Sequence, residues 1–261
     1  MLRAIVFDLD GVVYQGARGI PGAAEEISRL QKKLTVLFLT NNATKSRADY
    51  VRHLASFGIR AKEPEVMTSS FGTALYIREK LGKGKKVFVV GEGGLKRELE
   101  KEAGAKLIDG EGADIVACGL DRHISYPKLD VGLRNLNSGA FFIVANSDPT
   151  YPTESGVSPG SGAIAASLIY ASGRQPDAVV GKPSAFLISE LLRLHKIRPS
   201  QAAFVGDRLD IDIRMANRAG LKSILVLTGI AEKADARRAP ASDRPDLIVK
   251  SAAEVGRALG I

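Results

Sequence analysis

Residues 2–11 read Leu-Arg-Ala-Ile-Val-Phe-Asp-Leu-Asp-Gly, an apolar run that stops on two carboxylates and a glycine. A short β-branched run of this kind predicts a strand. Strand side chains alternate, so Asp8 and Asp10, two apart, are expected on one face, and Gly11 lets the chain leave the sheet sharply. Two like charges so placed are tolerable when a cation lies between them or when one keeps its proton, which makes the pair a candidate site. Read alone, Asp8-Leu9-Asp10-Gly11 also fits two solvated acids at a strand end.

Outward from this stretch, short β-branched runs alternate with amphipathic helical patterns, the signature of an α/β fold with a largely parallel sheet. Strands are predicted at Ala4 to Phe7, Val36 to Thr40, Lys86 to Val90, Asp114 to Cys118, Phe141 to Ala145, Ala202 to Val205 and Lys222 to Val226. Helices are predicted between them, among others at Ala23 to Lys32, Lys45 to Phe57, Leu95 to Glu102, Gly162 to Ala171 and Ala185 to His195. The Ala-, Arg- and Lys-rich stretch Ala231 to Arg244 reads as a mobile surface loop before a last strand near Leu247. A chain of 261 residues exceeds the usual single-domain length. Residues 79–178 carry their own strand and helix series without a polar cluster, as an inserted cap domain would. That leaves 1–78 and 179–261 as the catalytic core.

Lys plus Arg number 37 against 29 Asp plus Glu, a formal charge of +8, and 45% of residues are hydrophobic. The positive residues are scattered and not interleaved with stacking aromatics, which argues for anionic small molecules as partners and against nucleic acid. The single cysteine, Cys118, lies in an apolar strand pattern and is expected to fill core space; it excludes an intrachain disulfide. No apolar run approaches the ~20 residues of a membrane span, and the first strand starts without a signal-like segment. A cytoplasmic location is the expectation.

Three strands end in dense polar loops: Asp8 and Asp10, then Thr40-Asn41-Asn42, then Gly206-Asp207. Ligands of open parallel sheets bind beyond the carboxyl ends of the strands, so these loops are expected to converge. Cleavage of a phosphate ester through a covalent intermediate needs a nucleophile, an acid for the leaving oxygen, a cation and donors for the phosphoryl oxygens. Asp8 is suited to attack phosphorus, and Asp10 to donate and later accept a proton. Mg²⁺ suits a site of few carboxylates plus substrate oxygens, with Asp207 as a third ligand and Asp212 placed to hold a metal-bound water. Thr40 offers a hydroxyl and Asn41 an amide to the phosphoryl group, although Thr-Asn-Asn could instead cap the following helix. Lys182, between Gly181 and Pro183-Ser184, would be a fixed positive charge at the site, or a solvated lysine. Gly156 to Gly162 is glycine- and serine-rich and is expected to form a tight turn opening a helix. His53, His123 and His195 show no metal-ligand spacing.

In this order DLDGVVY (8–14), TNN (40–42), GKPS (181–184) and GDRLDID (206–212) resemble the haloacid dehalogenase superfamily, in its NagD-like, p-nitrophenylphosphatase branch. CGLDRHISYPKL (118–129) and ANSDPTYPTESGVSPGSGAIAA (145–166) look like the cap of that branch. The resemblance implies a Rossmann-like core with an inserted α/β cap and a Mg²⁺-dependent phosphatase that hydrolyses small phosphomonoesters through an aspartyl-phosphate. Asp8 would be the nucleophile and Asp10 the general acid and base. Asp8, Asp10 through its carbonyl, and Asp207 would be metal ligands. Thr40, Asn41, Asn42 and Lys182 would contact phosphate, and Tyr151 would reach the substrate from the cap. Ile211 departs from the threonine frequent in that branch. A homodimer through the cap is also implied. A phosphotransferase or mutase on the same core is the alternative activity. A phospho-acceptor receiver fits poorly, being shorter and carrying its acids ahead of the acceptor aspartate.

Overall fold

The computed structural model describes residues 1–153 and 156–261 and divides into two compact units. Glu154 and Ser155 of the second cap motif lie outside the described residues. The first unit comprises 1–40, 50–67 and 182–261, and the second 41–49 and 68–181.

The first unit is built on a six-stranded sheet in the order Leu247–Val249, Lys222–Val226, Ala202–Gly206, Ala4–Phe7, Thr35–Thr40 and Val66–Thr68. The first five run parallel, with Phe7 opposite Val205 on one side and Phe38 on the other. Ala4–Phe7 is therefore central and buried throughout, which is why its sequence is apolar without alternation. Phe7, Phe38, Val205 and Ile224 join a core completed by Ile27 and Leu30 of the helix Ala23–Leu30 and by Tyr50 and Leu54 of the helix Arg47–Ser56. Each such side chain contributes ~1.5–3 kcal/mol on burial. Glu26 ties the chain end to this helix layer, accepting from Gly256 N at 2.8 Å while pairing with Arg29.

The second unit has its own five-stranded parallel sheet, ordered Ala178–Val179, Phe141–Val144, Ile115–Cys118, Lys86–Val90 and Lys106–Ile108. Cys118 is buried in it, and burial pushes its thiol up to about 12, so it fills space and is not reactive. The helix Gly93–Ala103 approaches residues 44 and 45 so closely that a Cβ on Gly94 would lie 2.4 Å from the Lys45 backbone. Glycine is required there by space.

Two stretches differ from the sequence expectation. Thr150–Thr153 pairs antiparallel with Gly156–Pro159, so the region expected as a loop carrying Tyr151 and a glycine-rich turn is a β-hairpin, followed by the helix Ser161–Ser172. Its prolines and glycines are tolerated because an isolated two-stranded ribbon is all edge. Within Ala231–Arg244, expected as a loop, Lys233–Arg238 is helical and Ala241–Asp243 forms a 3₁₀ turn. Asp235 accepts from Glu232 N at 2.9 Å, Ala236 and Ala239 are buried, and Arg214 holds Asp243 through two bonds of 2.8 and 2.5 Å. Those side-chain bonds secure a segment whose composition lacks an apolar face.

Candidate active site

At the carboxyl end of the first unit's sheet, Asp8 follows the central strand and Asp207 follows its neighbour Ala202–Gly206. Asp212 lies in the helical turn Leu209–Ile213 that leads into the helix Arg214–Arg218. Oxygens of Asp8, Asp207 and Asp212 all lie within 4.8 Å of one another. The three residues are 8%, 4% and 1% exposed, and Lys182 beside them is 3% exposed. Lys182 Nζ donates to Asp8 Oδ1 at 2.7 Å and to Asp212 Oδ1 at 2.8 Å. The other Asp212 oxygen accepts from the backbone N–H groups of Asp207 (3.2 Å) and Arg208 (3.1 Å), so this carboxylate clamps its own loop and orients the lysine.

The backbone around the cluster leaves no room for side chains. A Cβ on Gly229 would meet Asp207 Oδ2 at 1.9 Å, and one on Gly206 would meet the Asp212 Cβ at 2.3 Å. Ile230 N donates to Asp207 Oδ2 at 2.9 Å, and Thr228 Oγ1 donates to Gly11 O at 2.6 Å. The Thr228-Gly229-Ile230 loop is thus part of the site, although no sequence expectation falls on it. Its signal was a glycine directly after the polar end of an apolar strand.

Burial pushes Asp8 well above the usual carboxylate range, opposed by Lys182 and reinforced by Asp212 and Asp207. Asp207 is pushed from 3.8 up to about 7, by burial first and then by Asp212. Burial works against the Lys182 ammonium, but Asp212 and Asp8 outweigh it and hold the proton more firmly than usual. Three buried acids share one buried base, so the group carries surplus negative charge. Close-set oxygen donors with that surplus fit a divalent cation, which would hold the acids ionised.

Beyond the strand's end at Phe7, Leu9 O accepts from the N–H groups of Val12, Val13 and Tyr14 while Gly11 turns at φ +79°, so the chain leaves the sheet just after Asp10. The like charges that raise Asp8 are Asp212 and Asp207. The charges of Asp10 and of Asp8 both reach the phenols of Tyr14 and Tyr50. Thr40 is buried at the end of the strand Thr35–Thr40, beside the central strand, and hydrogen-bonds Tyr50.

The remaining predicted site residues belong to the second unit. Asn41 Nδ2 donates to Asp148 at 3.0 Å, and Asn41 O accepts from Asn146 Nδ2 at 2.7 Å and from the Ser69 hydroxyl. Asn42 Oδ1 accepts from both the amide and the hydroxyl of Thr44. The helix Arg47–Ser56 is capped instead by Ser46 and Asp49, whose side chains bond each other's backbone. Tyr151 is half-buried in the hairpin, near Arg122, which forms a two-bond pair with Glu92.

A parallel sheet delivering a buried aspartate against a lysine and two further aspartates from a later loop is the architecture of a hydrolytic α/β family. Residues 5–105 match the model of the haloacid dehalogenase-like hydrolases, and residues 179–255 match a second, HAD-hydrolase-like model. The chain belongs to the haloacid dehalogenase-like hydrolase family and is a hydrolase of its phosphatase type. It is similar to a 4-nitrophenylphosphatase of Schizosaccharomyces pombe, with 34% identity over 96% of this chain and 92% of that one. Among solved structures it resembles a p-nitrophenyl phosphatase from Archaeoglobus fulgidus, with TM-score 0.92, 31% identity and coverage of 98% and 99%. A glycerol phosphate phosphatase from Mycobacterium tuberculosis in complex with magnesium matches with TM-score 0.89 and 35% identity over 96% of this chain and 75% of that one.

Proposed function

We propose that the protein is a Mg²⁺-dependent phosphomonoesterase for small phosphate esters that works through an aspartyl-phosphate on Asp8. The observation that carries this is the buried group of Asp8, Asp207 and Asp212 with Lys182 Nζ 2.7 Å from the Asp8 carboxylate. Lys182 orients Asp8 and counters its charge. An Asp8 oxygen attacks phosphorus, the bond from phosphorus to the ester oxygen breaks, and that oxygen takes a proton from Asp10. Asp10 then removes a proton from water, whose oxygen attacks the same phosphorus, and the P–O bond to Asp8 breaks to release inorganic phosphate. A divalent cation held by Asp8, the Asp10 carbonyl and Asp207 would supply positive charge between the attacking carboxylate and the phosphoryl oxygens. Magnesium in the similar glycerol phosphate phosphatase supports that choice of ion. Thr40, Asn41 and Asn42 complete the phosphate contacts. The second unit would act as the cap, with Tyr151 as its candidate substrate contact.

Exposed Tyr126, Val157 and Tyr170 on the second unit support a homodimer through that unit, to be tested by light scattering. Among the described residues no helix is long and apolar enough to cross a membrane. The cytoplasm is the compartment we propose.

The deciding experiment is Asp8→Asn with p-nitrophenyl phosphate. Turnover is expected to fall to background with the circular dichroism spectrum unchanged and with wild-type activity lost in excess EDTA. A folded variant with near-normal turnover refutes the assignment of Asp8.

A further inference from the structure

The strand Lys222–Val226 and the central strand Ala4–Phe7 are not neighbours, because Ala202–Gly206 lies between them. Adjacent strands stand ~4.8 Å apart, which puts these two ~10 Å apart. Yet Thr228, two residues past its strand, donates from Oγ1 to Gly11 O at 2.6 Å and joins segments 217 residues apart in sequence. The bond therefore spans the strand end that carries Asp207. Around it the backbones close in: a Cβ on Gly11 would lie 2.6 Å from Asp207 Oδ2 and 3.1 Å from the Gly229 Cα. The same loop holds Asp207 at two points, with Ile230 N donating to Oδ2 at 2.9 Å and Ala231 N to the Asp207 carbonyl at 3.0 Å. With Oδ2 fixed in this way, the place of the other carboxylate oxygen is set as well.

Gly11 sits at φ +79°, a conformation that glycine adopts freely and can also leave freely, so the turn after the nucleophile is held by its hydrogen bonds. The peptide before Gly11 has its N–H bonded to Tyr14 O at 2.7 Å, and because a peptide is planar that bond also aims the Asp10 carbonyl. In the peptide after Gly11, Val12 N donates to Leu9 O at 3.2 Å and the carbonyl accepts from Thr228. The bonds to Tyr14 and Leu9 are local to the turn. The Thr228 bond ties the turn to the loop that fixes the Asp207 carboxylate. We propose that Thr228 is a positioning residue of the metal site: its hydroxyl, bonded to the Gly11 carbonyl, holds the Asp10 carbonyl and the Asp207 carboxylate in register and so raises the affinity for a divalent cation. This rests on the reading that those two groups and Asp8 are the ligands of the ion.

A threonine that only satisfied the Gly11 carbonyl would lower Tm equally with and without the ion, so the test reads binding. Thr228→Val keeps the shape of the side chain without the donor, and Thr228→Ser restores the donor. Both variants and wild type are titrated with Mg²⁺ by isothermal calorimetry without substrate, and the rise in Tm at a fixed Mg²⁺ concentration over EDTA is measured alongside. Thr228→Val is expected to weaken Mg²⁺ binding about tenfold, the scale of losing a group that orients a metal's ligands, and to shrink the Tm rise. Thr228→Ser is expected to recover most of that affinity. A valine variant that binds Mg²⁺ as tightly as wild type, or a serine variant as weak as the valine one, overturns the proposal. Wild-type protein that binds no Mg²⁺ would instead refute the metal reading on which it stands. Should Thr228→Val fail to fold, Thr228→Cys, similar in size and only a weak donor, is titrated in its place. Weakened binding that Thr228→Ser does not share then supports the role of Thr228, and unchanged binding overturns it.

Discussion

Replacing Lys182 by methionine removes the ammonium bonded to Asp8 and Asp212 while nearly keeping its volume, so the result reports charge. The contacts of 2.7 and 2.8 Å are each worth ~6 kcal/mol of gross attraction at an effective dielectric near 20, offset by the cost of drying all three groups. Breaking a buried pair by deleting one partner typically costs ~3–5 kcal/mol, because the other charge is left uncompensated. In EDTA at pH 8, Lys182→Met is therefore expected to melt on the order of 10 °C below wild type, at ~2–4 °C per kcal/mol for a chain of this size. Over pH 5–8 the raised Lys182 stays charged, so its own contribution is constant in wild type and would be lost only in strong alkali. In the variant the buried acids are uncompensated when ionised and harmless when protonated, so the deficit should shrink toward pH 5. Differential scanning fluorimetry at both pH values measures it. A variant within ~2 °C of wild type at pH 8, or a deficit equal at both pH values, would refute Lys182 as the counter-charge of the cluster.

The wild-type protein should show its own pH signature without metal. Asp207 is displaced from 3.8 to about 7, so the folded state keeps a proton that the unfolded chain gives up; that stability is full below 3.8 and is lost as pH rises through 7. In EDTA, Tm is expected to fall between pH 5.5 and 8, and saturating Mg²⁺ should flatten the slope; a rise over this window in EDTA contradicts the charge balance described. Gly229→Ala places a Cβ 1.9 Å from Asp207 Oδ2, which must move. Titrating activity against Mg²⁺ should give a midpoint raised at least about tenfold, the scale of disturbing a metal site's immediate surroundings, and an unchanged midpoint refutes the crowding argument.

The parallel strands were legible because both faces of such strands are covered, so apolar runs such as Ala4–Phe7, Lys86–Val90 and Lys222–Val226 coincide with their boundaries. The hairpin Thr150–Thr153 with Gly156–Pro159 was not legible, since no buried face marks it and its Pro and Gly residues read as turn. The helix Lys233–Arg238 was hidden for a related reason: it is secured by the Asp235 cap and by the Arg214–Asp243 pair, whose members are 29 residues apart in sequence. Both cases depend on partners that local composition does not encode.

The gathering of Asp8, Lys182, Asp207 and Asp212 was foreshadowed because polar residues at the ends of apolar strands have few other reasons to be there, and the sheet order makes Asp8 and Asp207 neighbours. The surroundings of the first carboxylate pair were not, because they come from side chains distant in sequence: Asp212, Asp207 and Lys182 act on Asp8, and Asp8 and Asp10 both act on Tyr14 and Tyr50. Those surroundings bear on the chemistry. A carboxylate that must attack phosphorus gains from a fixed ammonium and neighbouring acids that share it. One that must give and take a proton gains from neighbours that keep their own protons, and the Tyr14 and Tyr50 phenols, held protonated by burial, are such neighbours of Asp10.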